Sequence, residues 1–273
     1  ALSDFNRALE LDNTMSWAFY FCALTYFQKR KFKNTIKDID YSIALEKTLK
    51  NQDIIMKKGC CHSLMGDHES AIMDFREAIE LKEDFASAFV GRGETYRRMG
   101  NLKAALADFN QAIMLDKNVD SAYSCRSEAY LQMGALQNAL DDINQAVLLD
   151  PEDDWSYYIR SLVYTKIKYP DGMKQDLEKA IKIATGEYNK RTNDWLYTLN
   201  LALYYLMGGN LDKAEQFYQK GLTCEIQQGS FYKATSDLDY LLRLFPNHAA
   251  AQTMLSRLQD RFKELIRKAV PDS

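Results

Sequence analysis

The side chains with the most chemical potential at close spacing are Cys60, Cys61 and His62. Thiolates and an imidazole are ligands that zinc favours, and they are also the parts of an activated cysteine nucleophile. Their spacing argues against both roles. A helical turn takes about 3.6 residues, so neighbouring side chains diverge by about 100° and three in a row do not converge on one ion. No second Cys or His pair stands at ligand spacing elsewhere. The other two histidines, His68 and His248, have no triad-like setting. Gly91-Arg92-Gly93 opens like a dinucleotide-binding fingerprint, but Tyr96 holds the third glycine position and no strand pattern precedes it. No residues combine the roles of nucleophile, base and oxyanion donor. The expectation is a chain that is not an enzyme, with no catalytic residue, no metal and no cofactor.

Charged residues show a longer rhythm. Lys58, Arg92, Arg126 and Arg160 recur in steps of 34. Asp74, Asp108, Asp142 and Asp176 keep the same step, and Asp38 stands 36 before Asp74. A cation on one helix and an acid on the next can pair, and exposed pairs of this kind contribute about 0–1 kcal/mol each. The ladder is expected to be structural, and the competing reading is a polar track for ligand carboxylates.

The rhythm belongs to a repeat. Residues 86–117 read ASAFVGRGETYRRMGNLKAALADFNQAIMLDK, and residues 120–151 return as DSAYSCRSEAYLQMGALQNALDDINQAVLLDP. The motif is Phe89-x2-Arg92-Gly93-x2-Tyr96 followed by Ala105-x3-Phe109. Spacing and residue type together resemble the tetratricopeptide repeat (TPR) family, in the style of bacterial arrays. The resemblance implies an all-α solenoid of antiparallel helix pairs wound into a right-handed superhelix. Helix A of each pair would line the concave side, with helix B mostly outside.

Residues 1–229 read as the repeat array and residues 230–273 as a helical cap. Residues 1–13 fit only a B helix, so the chain is expected to begin inside a repeat of a longer protein, leaving Phe5 and Leu9 an open apolar side. Six repeats start near Ser16, Gln52, Ala86, Asp120, Asp154 and Trp195. The first is longer by two residues near Lys47–Asn51, and seven extra residues lie around Thr185–Asn193, where the superhelix is expected to bend. Gly100 and Gly134 suit helix ends, Asn101 suits an N-cap, and Pro151 and Pro246 follow helix B. Arg30 replaces glycine at the turn of the first repeat.

Composition narrows the partner. The 273 residues carry 35 Lys+Arg against 38 Asp+Glu, a net charge of −3 without a basic block. Nucleic acid and membrane surfaces are therefore not expected partners. No run reaches the roughly 18 apolar residues of a spanning helix. Five cysteines, odd in number and irregularly spaced, suggest reduced thiols and a cytoplasmic setting.

In TPR proteins, ligand contacts come from helix A. Carried onto this sequence, the positions in repeats three to five offer Glu94, Arg97, Arg98 and Glu128 to fix a polar segment, with Trp155, Tyr158 and Leu162 to bury an apolar anchor. The first repeat offers Trp17, Tyr20, Phe21, Leu24, Phe27 and Gln28, and the competing reading is that Trp17 and Phe21 are core side chains covered by a repeat before residue 1. Repeats one to five lack the lysine and asparagine that chaperone-tail receptors use at these positions, so that role is disfavoured. The expected function is protein–protein interaction, as a scaffold, adaptor or sensor arm of a larger signalling protein. The partner is expected to be a protein or peptide. The alternatives are a receptor for a signalling peptide or small ligand, and the regulatory arm of an enzyme whose catalytic domain lies elsewhere.

Overall fold

A computed structural model describes residues 2–191, 194–223 and 228–269. Among them are fifteen α-helices and no strand. In order they are α1 (Leu2–Leu11), α2 (Ser16–Gln28), α3 (Phe32–Leu45), α4 (Gln52–Leu64), α5 (His68–Leu81), α6 (Ala86–Arg98), α7 (Leu102–Leu115) and α8 (Asp120–Met133). There follow α9 (Leu136–Leu149), α10 (Asp154–Lys166), α11 (Pro170–Lys190), α12 (Trp195–Met207), α13 (Leu211–Thr223), α14 (Gln228–Leu244) and α15 (Ala249–Ala269). The fold is an all-α helical repeat. It forms two compact units, Ala1–Cys125 and Arg126–Ser273, with the boundary inside α8.

Each hairpin joins an A helix to a B helix through the same turn. Gly66, Gly100, Gly134 and Gly209 take φ between 75° and 82° at the ends of A helices. This left-handed conformation lets the chain reverse, and glycine adopts it without a Cβ clash. Arg30 (φ 55°) and Lys168 (φ 61°) hold the corresponding turns after α2 and α10 with ordinary side chains. Two of the B helices, α5 and α7, start on side-chain caps: Asp67 accepts from Ser70 N, and Asn101 from Ala104 N. Pro170 begins α11, where the missing N–H is no loss.

The hairpins close on small residues. Ala71, Ala78, Ala105, Ala112, Ala139 and Ala146 are fully buried, and the rings of Phe75 and Phe109 fill the space they leave. At Gly93 a Cβ would stand 2.7 Å from the Phe109 ring, so only glycine permits this approach of α6 to α7.

Two irregularities have simple geometry. The longer linker of the first repeat is a 3-10 turn, Lys47–Leu49. The extra residues near Thr185 lengthen a helix: α11 has 21 residues against 14 in α3, α5, α7 and α9. Seven residues are about two turns, so the same face of α11 continues toward its neighbour. Asn193, at the end of the expected insertion, lies outside the described residues, as do residues 270–273 of the cap and Cys224.

Candidate partner-binding face

The charged ladder is paired within the hairpins. Arg92 donates through Nε and Nη2 to Asp108 at 2.9 and 2.8 Å. Arg126 grips Asp142 at 2.7 and 2.7 Å, and Arg160 grips Asp176 at 2.7 and 2.8 Å. A planar guanidinium matched to a carboxylate by two bonds is the strong form of this contact. In the second repeat the rung changes hands. His62 Nδ1 lies 2.6 Å from Asp74, while Lys58 reaches Asp40 at 2.7 Å. The first repeat has Cys22 at the cation's place. Its acid, Asp38, is buried, and burial pushes its carboxyl up to about 6, with Lys37 opposing the shift.

The Cys60-Cys61-His62 group is absorbed by the same architecture. His62 faces Asp74. Burial pushes the Cys60 thiol up to about 11 and Cys61 further still. Thiols held protonated at neutral pH are poor nucleophiles and poor metal ligands.

In the first unit, Glu94, Arg97 and Arg98 form one cluster on α6. Glu94 accepts from Arg97 at 2.7 and 2.8 Å and from Arg98 Nε at 2.7 Å. Burial alone would raise the Glu94 carboxyl, but the two guanidiniums outweigh it and hold it below the ordinary range. Arg97 is itself buried, while Glu94 and Arg98 remain partly exposed. On α2 of this unit, Trp17 is 45% exposed and Phe21 44%.

In the second unit the expected anchor is closed. Tyr158 and Leu162 have no exposed surface, and Glu128 is buried with its Oε1 accepting from Trp155 Nε1 at 2.9 Å. The cover comes from α12 and α14. Tyr204 of α12 packs against Tyr158 with ring centroids 4.9 Å apart and the planes tilted by 31°, and the Trp155 ring lies 5.2 Å from that of Tyr158. Tyr204 Oη donates to Asp154 at 2.6 Å, tying α12 to the start of α10. From α14, Lys233 sits 4.4 Å over the Trp155 ring and pairs with Asp237. At the far end, Lys166 of α10 donates to the Leu244 carbonyl and lies 4.5 Å over the Phe245 ring. The expectation of an exposed Tyr158 and Leu162 is therefore corrected: a later helix of the chain itself occupies the face.

Sequence reasoning missed Lys233 and Asp237, which complete this contact. Their i,i+4 spacing beside Tyr240, Leu241 and Leu244 was the available signal, since it sets a charged pair into an apolar stripe.

Comparison with known proteins fits this construction. The tetratricopeptide repeat model matches four times, at residues 53–85, 86–119, 121–153 and 156–186. The chain belongs to the tetratricopeptide repeat family. Among solved structures, this TPR protein is similar to the APC/C hetero-tetramer Cut9–Hcn1, with a TM-score of 0.60 and 15% identity over 93% of this chain and 44% of that one. It is also similar to MamA from Desulfovibrio magneticus RS-1, with a TM-score of 0.50 and 15% identity over 66% of this chain and 97% of that one. At such identities the likeness concerns the fold alone. No curated protein matches the TPR sequence described here.

Proposed function

We propose that the chain is a protein–protein interaction module whose A-helix face receives a helical segment of another protein. The observation that carries this reading is α14, which lies along α10 and α12 on that face and is held by Trp155, Tyr158 and Lys166. A face that already accommodates one amphipathic helix has the shape and chemistry of a helix-binding groove. In the second unit the place is taken, so docking falls to the A helices of the first unit. There the partly exposed Glu94 and Arg98 set the register of a polar segment, with Trp17 and Phe21 as exposed aromatic anchors. TPR membership supports the general role. Within it, the chain acts as a scaffold or sensor arm of a larger cytoplasmic signalling protein, without chemistry of its own.

The test is site-specific photo-crosslinking of the full chain in cells that make it. A crosslinker at Trp17 or Arg98, on A helices, is expected to capture a defined partner peptide. The same group at Lys33 or Met114, on B helices, is expected to capture none. Equal capture from both faces, or capture from the B helices alone, refutes the reading.

A further inference from the structure

The covered face of α10 has a twin. Trp155, Tyr158 and Leu162 stand 138 residues after Trp17, Tyr20 and Leu24, with the same Trp-x2-Tyr-x3-Leu spacing. The two helices also begin their hairpins alike: α2 and α10 have 13 residues each, and a non-glycine residue with positive φ follows in the turn, Arg30 and Lys168. Their surroundings differ. On α10 the tyrosine and leucine have no exposed surface, because α12 and α14 lie on them. On α2 the tyrosine and leucine are only partly buried and the tryptophan is 45% exposed.

We infer that the Trp17–Tyr20–Leu24 face of α2 is a seat for an amphipathic helix of a partner protein with the chemistry of α14. This rests on the reading of the A-helix face as the docking face, and it names what docks there. The covered copy supplies the specification. Lys233 meets Trp155, and the Leu244 carbonyl meets Lys166, so both helices advance 11 residues between the two contacts and run side by side in the same direction. That advance is about 16 Å of helix axis. The occupant therefore carries a lysine near its N-terminal end, to lie over the Trp17 ring. It presents Leu and Tyr side chains 7, 8 and 11 residues later, as Tyr240, Leu241 and Leu244 stand after Lys233.

The seat on α2 differs from its twin at several positions, and two of the differences bear on an occupant. Gln28 stands where Lys166 grips the carbonyl end of α14, so the C-terminal end of the visiting helix loses a charged clamp. Phe21 stands where Ile159 does and stacks on Phe5 of α1 at 5.5 Å, which walls the seat on one side. The first difference loosens the grip, so the occupant exchanges. The α14 of the same chain is engaged on α10 and does not supply the occupant.

A fluorescein-labelled peptide with the sequence of residues 228–244 serves as the probe, titrated into the full chain and followed by anisotropy. Saturable binding is expected. Trp17→Ala is expected to weaken it about tenfold or more, as removal of an aromatic anchor does. Its circular dichroism melt is expected to match wild type, since the ring is half exposed. The peptide carrying Lys233→Ala is expected to bind about threefold more weakly, the size of an exposed cation–π contact. Gln28→Lys is expected to tighten binding. Absence of saturable binding overturns the inference, as does unchanged binding to Trp17→Ala. Loss of binding with Trp155→Ala alone would mean that the peptide replaces α14 in the second unit, and this too overturns it. Concentration-dependent association of the chain that the peptide competes away would assign the seat to a second copy instead. If the peptide fails while crosslinks from Arg98 persist, the interaction role stands and only this occupant is wrong.

Discussion

Asp38 is the carboxylate of a rung without its cation, and its substitution by asparagine isolates what the rungs do. Burial raises its carboxyl from the ordinary 3.8 to about 6, and Lys37 works against the shift. A raised acid binds its proton more tightly in the folded chain than in the unfolded one. Stability from this group is therefore fully present below the unfolded value near 3.8 and is lost as pH rises through about 6. At about 1.4 kcal/mol per tenfold change in proton affinity this rise has an upper bound of about 3 kcal/mol, and relaxation around the carboxylate brings the expected figure to about 2 kcal/mol. Asp38→Asn removes the charge and keeps the shape. The variant is expected to be more stable than wild type by about 2 kcal/mol at pH 7 and close to wild type at pH 4. Urea melts of both proteins between pH 4 and pH 7 measure this directly. Equal stability at pH 7, or a gain that grows toward pH 4, refutes the argument. Asp142→Asn is the contrast: there a guanidinium faces the acid at 2.7 Å, and the same substitution is expected to destabilise at neutral pH.

Other perturbations test other links. Arg126→Ala leaves Asp142 buried without its cation and is expected to lower stability by about 2 kcal/mol in a denaturant melt, with crosslinking from Arg98 unchanged. Arg30→Gly and Lys168→Gly relieve left-handed strain and are each expected to raise stability by about 1 kcal/mol, whereas Gly100→Ala is expected to lower it by a similar amount. Gly93→Ala drives a methyl against the Phe109 ring and is expected to lower the melting temperature by several degrees, a shift a thermal melt resolves. Lys233→Ala removes the partner of buried Asp237 and is expected to speed amide exchange across α14, read by mass spectrometry, while α4–α7 keep their protection.

Much of the fold is legible because each hairpin obeys local rules. A glycine after helix A, an asparagine or aspartate before helix B and alanines at the crossing points are short-range features, and a chain that repeats them announces its own period. The seven residues near Thr185 were visible as a break in that period. Their effect was not, because the count alone does not say whether extra residues bend the chain or lengthen a helix. Two turns of α11 resolve it: the insertion is close to a whole number of turns, so the apolar face stays aligned. The ladder was legible for the same reason, since Arg92, Arg126 and Arg160 each sit 16 residues before their acid.

The site was legible only by half, and the cause is physical. Position within a repeat tells which way a side chain points, and Trp155, Tyr158 and Leu162 lie together on one face of α10. Whether the face meets water depends on what lies across it, here a helix 78 residues further along, from Trp155 to Lys233 and from Lys166 to Leu244. No periodicity connects those residues. The contact they make is also unlike a core. Tyr158 and Tyr218 bury hydroxyls with no hydrogen-bond partner among the described residues, beside the Lys233–Asp237 pair. Each such hydroxyl costs about 1–3 kcal/mol. An interface assembled with uncompensated polar groups is held less firmly than the alanine-lined hairpins around it.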